Sequence, residues 1–187
     1  MKSPFYFIVK PLGGKRYVNT KEIQGVEIIT STSEENHMAS NRQGVVVSTP
    51  IGYTGEIKTG DILLVHHNVF KYYNDMKGRQ KSGKSFFKDN LFFIEQDQFF
   101  MYKQDGMWHC HDRYCFVQPV PKEESFISKL GTEEPLIGIM KYSNDYLSSQ
   151  GVNPGDRICF KPESEYEFMV DDEKLYRMYD HQITLKL

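Results

Sequence analysis

Two stretches of the chain carry residue types at spacings that could do chemistry. Residues Gly78 to Ser85 read Gly-Arg-Gln-Lys-Ser-Gly-Lys-Ser, which fits the pattern G-x-x-x-x-G-K-[ST] at every position. In a phosphate-binding loop of this kind, backbone N–H groups of the glycine-rich turn cradle the phosphates. Lys84 would reach the β and γ phosphates and Ser85 would hold Mg²⁺. The second stretch is His109-Cys110-His111-Asp112-Arg113-Tyr114-Cys115. On a strand, His109 and His111 point to one face and Cys110 to the other, so two imidazoles could share a metal ion, with His66 and His67 as a supplement. No Ser-His-Asp set, carboxylate pair or activated cysteine stands out elsewhere.

Each chemistry demands a particular local structure. A phosphate-binding loop must join a strand to a helix whose N-terminus meets the anion. After Ser85, Phe86 and Phe87 lead within three residues to the turn signal Asp89-Asn90, then to an apolar run ending at Glu95. That leaves no room for the helix, and a crossover to a parallel strand takes about a dozen residues or more. The segment therefore reads as a basic hairpin tip that binds no nucleotide. Lys71, Lys77, Arg79, Lys81, Lys84 and Lys88 against Asp75 give +5 over residues 71–88. Such a tip could meet an acidic partner or simply be solvated. Zinc takes four ligands, usually spaced Cys-x-x-Cys or His-x₃-His, and neither spacing is present. The expectation is no metal, no cofactor and no catalytic residue.

Composition narrows the class. The chain has 187 residues, with 23 Lys and Arg against 25 Asp and Glu. That near balance argues against a nucleic-acid binder working through overall charge. The longest aliphatic run is Ile62 to Val65, too short to span a membrane. The N-terminus is too poor in apolar residues for a signal peptide, and Lys10 interrupts its run. Three cysteines, Cys110, Cys115 and Cys159, form no disulfide framework and indicate a reducing, cytoplasmic setting. Ala39 is the single alanine, against 13 Phe and 12 Tyr. Alanine favours helices and aromatics favour strands, so the fold class is all-β.

Short strand candidates recur throughout: 5–10, 27–30, 44–48, 61–66, 68–73, 90–95 and 98–103, then 107–111, 114–120, 136–142, 156–161, 165–170, 174–178 and 182–186. One short helical turn is expected near 144–150, ended by Gly151. An internal repeat runs through these strands. YFIVKPL (Tyr6–Leu12) matches YCFVQPV (Tyr114–Val120) at an offset of 108. GVVVS (Gly44–Ser48) matches GIMKY (Gly138–Tyr142) at 94, and TGDILLV (Thr59–Val65) matches PGDRICF (Pro154–Phe160) at 95. DNLFFIEQDQFFMY (Asp89–Tyr102) matches EKLYRMYDHQITLK (Glu173–Lys186) at 84. The order is preserved. The first copy is longer between Leu12 and Gly44, and again between Val65 and Leu91, where loops are expected.

The order of these pieces resembles the GroES-like co-chaperonin family: a strand, a loop, a Gly-led strand, Gly-Asp before four apolar residues, and a closing pair of strands. The resemblance covers nearly the whole chain as two tandem copies. It implies two tandem small irregular β-barrels, over residues 1–106 and 107–187. The first copy carries the family's mobile loop at 15–42 and a basic hairpin insertion at 71–88. In that family the loop bears a short hydrophobic motif that orders on the chaperonin, which here falls on Val26, Glu27, Ile28 and Ile29. The matching loop of the second copy, Pro121 to Pro135, is shorter and offers only Phe126, Ile127 and Leu130. Only Thr49 to Lys58 is available for the roof hairpin of the bacterial members, so the chain is more similar to the roofless phage members. The resemblance thus implies a non-enzymatic cap for an ATP-driven chaperonin ring. Its partners would be GroEL-like apical domains, and it would itself form a cyclic homo-oligomer, with no nucleic acid or membrane partner. Two other readings compete: a nucleotide-binding enzyme using Gly78–Ser85, and a structural β-protein of a phage particle.

Overall fold

The computed structural model describes residues 1–17, 20–23, 26–29, 40–122 and 133–187, with 20–23 and 26–29 described by their backbone. The protein is all-β, and contacts divide it into two compact units, Met1–Met107 and Trp108–Leu187. No helix among the described residues is long and apolar enough to cross a membrane.

The first unit runs β1 (Phe7–Pro11), β2 (Thr20–Ile23), β3 (Val26–Ile29), β4 (Gln43–Ser48), β5 (Ile62–Val65), β6 (Tyr72–Asn74), β7 (Gln80–Ser82), β8 (Phe92–Ile94), β9 (Phe99–Gln104), and β10 (Met107–Cys110), within which the division falls. Its sheet has the order β10-β9-β5-β4-β1-β8, while β2 pairs with β3 and β6 with β7 in separate two-stranded sheets. The second unit continues β11 (Tyr114–Pro121), β12 (Glu133–Tyr142), α1 (Asp145–Ser149), β13 (Arg157–Phe160), β14 (Tyr166–Val170), β15 (Glu173–Tyr179) and β16 (Ile183–Lys186). Its sheet has the order β14-β15-β11-β12-β13-β16.

At the offsets read from the sequence, β1, β4, β5, β8 and β9 correspond to β11, β12, β13, β15 and β16. Read that way, β9-β5-β4-β1-β8 and β16-β13-β12-β11-β15 are one order. The irregularities correspond too. Register slips between Ile8 and Val9 in β1 and between Phe116 and Val117 in β11. An extra residue on one strand bends a ladder locally, so two bulges at one offset place the bend identically. Gly60 has φ +100° and Gly155 φ +93°, a region open to glycine at no steric cost. The Asp after each accepts a hydrogen bond from a backbone N–H three residues earlier, Lys58 at 2.8 Å and Asn153 at 2.7 Å. In the 3₁₀ turns at 96–98 and 180–182, the Gln98 and Gln182 side chains accept from the Glu95 and Tyr179 N–H at 3.0 and 2.8 Å.

The cores follow the same map. Phe7, Val9, Val46, Leu63, Val65 and Ile94 are buried in the first unit. Cys115, Val117, Met140, Ile158, Phe160 and Met178 take those places in the second. Alternation along paired strands directs these positions to one face, and their burial is the main favourable term for each unit.

Some expected elements shift. The segment 68–73 is not one strand. His66 O accepts from Val69 N at 3.0 Å, and the resulting turn buries Val69 and Phe70 before β6 begins. Phe5 is exposed, and β1 starts only at Phe7. The helical turn is α1, capped by the Asn144 side chain accepting from Leu147 N at 2.8 Å and followed by Gly151 at φ +84°. Asn144 also donates to Asp180, at 3.4 Å. The fully buried Asp180 carboxylate takes two further bonds from Arg113 Nε and one from Nη2, at 2.8–3.1 Å. Burial pushes the Asp180 pKa up. Hydrogen bonds from Arg113, Asn144 and the His181 N–H, with the Arg113 charge, outweigh burial, and the net shift is downward.

Asp180→Ala is therefore expected to cost about 2 kcal/mol at pH 7, at the lower end for charged hydrogen bonds because Arg113 is half exposed. The folded pKa lies below the unfolded one, so this stability is full above the unfolded value of about 3.9 and is lost as pH falls through the folded value. Urea unfolding of both proteins between pH 7 and 2.5 should show the gap closing below about pH 4.

Candidate functional site

The long connection from β1 to β4 holds the residues with the strongest expectation of binding. Val26 to Ile29 form β3, antiparallel to β2, with Ile23 opposite Val26, Glu22 opposite Glu27, Lys21 opposite Ile28 and Thr20 opposite Ile29. The expected strand 27–30 thus exists, and it belongs to this hairpin rather than to the six-stranded sheet. Phe126, Ile127 and Leu130 of the shorter loop lie outside the described residues.

The place where this connection leaves and rejoins the sheet is closely built. Tyr17 bridges Ser40, and Asn41 N donates to Arg16 O at 2.8 Å. The Asn41 side chain donates to Leu12 O and Lys15 O at 2.9 and 2.8 Å, holding the two ends together. The basic insertion packs on this base. Tyr17 stacks on Tyr72 at 5.9 Å and 12°, and its hydroxyl accepts from Tyr72 N at 2.9 Å. Arg16 inserts its guanidinium among the rings of Tyr72, Phe86 and Phe92 at 4.2, 4.6 and 4.7 Å. Its Nη1 donates to Ser82 Oγ at 2.9 Å. Both segments by which the first copy exceeds the second therefore meet here. This cluster had no signal in the sequence, because its members come from four separate segments.

Gly78 to Ser85 do not form a phosphate-binding loop. Asp75 caps a turn, its carboxylate accepting from the N–H groups of Lys77 and Arg79 at 2.9 and 3.0 Å, and Gly78 has φ +72°. The chain then runs through β7, and Phe86 bridges Phe92. Asp89 and Asn90, at φ +49° and +59°, turn the chain into β8, so no helix follows Ser85.

At the second motif, His109 and Cys110 lie on β10 and Cys115 on β11. Burial pushes the Cys110 thiol well up and the Cys115 thiol up to about 12, so both stay protonated near neutral pH. Cys110 donates to Tyr142 O at 3.4 Å. A protonated thiol is a poor metal ligand and a poor nucleophile. Among the described residues no three His, Cys, Asp or Glu side chains come together to hold a metal ion.

Comparison with protein-family models and with curated proteins found no match for the chain.

Proposed function

We propose that the protein is a non-enzymatic co-chaperonin that caps an ATP-driven chaperonin ring and assists folding within it. The hairpin β2–β3 is the observation that carries this reading. It lies in the chain between β1 and β4, which pair directly with each other, pairs only with itself among the described residues, and holds the apolar Val26, Ile28 and Ile29. The repeated strand order supports reading each unit as a small GroES-like barrel. Three free cysteines suit the cytoplasm. Binding energy would come from burying aliphatic side chains in a groove of each apical domain, and the chemistry of ATP would belong to the chaperonin.

A cap must match the rotational symmetry of its ring, so a closed cyclic homo-oligomer is expected. Native mass measurement, alone and with chaperonin plus ATP, tests both points. The expected result is a single closed oligomer that adds to the chaperonin only when nucleotide is present. A monomer that never shifts the chaperonin mass refutes the proposal.

A further inference from the structure

We infer that the open cavity where the β1–β4 connection leaves the sheet is an oxyanion-binding site centred on Arg16. The cavity measures about 570 Å³ and is lined by Gly14, Lys15, Arg16, Tyr17, Tyr72, Phe86 and Asn90. Two of the seven are cations and none is acidic. Arg16 is only 8% exposed, yet no carboxylate pairs with it among the described residues. Its contacts are three ring faces and the Ser82 hydroxyl.

A guanidinium has five N–H donors in a fixed fork. Ring faces offset part of the cost of its burial but accept no in-plane hydrogen bond. Taking such a charge out of water without a counter-ion is costly, and burial lowers the Arg16 pKa accordingly. An anion in the cavity would restore the missing charge and match the fork in bidentate fashion. Phosphate and carboxylate share that geometry.

The walls are held in place before any ligand arrives. Asn90 Nδ2 donates to Gly14 O at 2.8 Å, and the Tyr17 hydroxyl is fixed by the Tyr72 N–H. A preformed site loses little ordering entropy on binding. The rim adds long-range attraction, since exposed Lys84 and Lys88 flank Phe86 in the chain. The site lies where the long connection between β1 and β4 leaves and rejoins the sheet, because Arg16 O accepts from Asn41 N.

Inorganic phosphate and an N-acetylated, C-amidated peptide of Ser and Glu are the probes, titrated into the full chain at constant ionic strength. The readouts are the thermal midpoint and the Arg16 Nε–Hε NMR resonance. At tenfold excess over Kd a saturable rise of about 5 °C is expected, with the Arg16 resonance shifting along the same isotherm. Arg16→Gln should abolish the response. Should that variant not fold, Lys15→Gln, at an exposed backbone position, should fold and weaken the isotherm midpoint about three- to tenfold. A response to phosphate alone assigns a free or esterified phosphate as ligand, and a response to the peptide alone assigns a protein carboxylate. No saturable shift with either probe overturns the site. A response unchanged in Lys15→Gln, or one that leaves the Arg16 resonance in place, marks adventitious binding elsewhere and overturns it equally.

Discussion

Exchanging Ile28 and Ile29 together for serine is expected to abolish capture of the protein on a chaperonin–nucleotide column while leaving its melting temperature nearly unchanged. Both residues lie on β3, which among the described residues pairs with β2 alone, so no described ladder of the six-stranded sheet runs through them. The buried core of the first unit is built from Phe7, Val9, Val46, Leu63 and their neighbours. Burying two aliphatic side chains contributes roughly 3–5 kcal/mol before ordering costs. Removing that from one contact weakens it by about two to four orders of magnitude. In a ring, several weak contacts act together, and the loss is multiplied at each. A double variant that unfolds would place both residues in a core. One that folds and still binds would assign contact to the shorter loop, with Phe126, Ile127 and Leu130 as the next residues to change.

The strands that alternate apolar and polar residues between Gly, Asn and Asp were legible because one buried face writes a period of two into the sequence. The repeated strand order was legible for a related reason. Gly60-Asp61 and Gly155-Asp156 each need a left-handed backbone followed by a carboxylate that closes the turn, and few residue pairs do both. The strand β7 was not legible. Gln80, Lys81 and Ser82 include no apolar residue, and their pairing follows from the Asp75 turn rather than from burial. Val69 and Phe70 misled in the opposite direction, since their apolar character fills the core from a turn.

The candidate site divides similarly. Val26 to Ile29 stand out as an apolar run inside a polar connection. Arg16 looks like any surface cation until Tyr72, Ser82, Phe86 and Phe92 close around it, the nearest of them 56 positions along the chain. Gly78 to Ser85 teach the converse. A pattern matched at every letter lacks the helix its chemistry requires when the turn at Asp89-Asn90 stands where that helix must begin.

Gly138→Ala is expected to produce the largest loss of stability of any single methyl group added to the second unit. Gly138 lies in β12 between Pro119 on β11 and Ile158 on β13, the places that Pro11 and Leu63 hold around Gly44 in the first unit. A Cβ there would clash with Val117 Cγ1 and stand 2.8 Å from the Gln118 carbonyl oxygen. Val117 is fully buried and belongs to the core, so it has no solvent side to retreat to. Gln118 is held by the ladder to Ile139, so its carbonyl moves only with the strand. Overpacking of this kind costs about 3 kcal/mol or more, which in a unit this small lowers the melting temperature by about 10–20 °C. Gly44→Ala should cost less, about 1–2 kcal/mol. Its closest neighbour is the edge of the Phe70 ring at 2.9 Å, with the Lys10 carbonyl at a comfortable 3.5 Å. Trp108, the single tryptophan, belongs to the second unit and donates to Asp171 at 3.0 Å, so its fluorescence follows that unit's unfolding. Thermal melts read at Trp108 should therefore show a large shift for Gly138→Ala and a smaller or absent one for Gly44→Ala. The reverse ranking would mean that the contacts of Gly138 relax more easily than a buried Val and a paired backbone carbonyl allow.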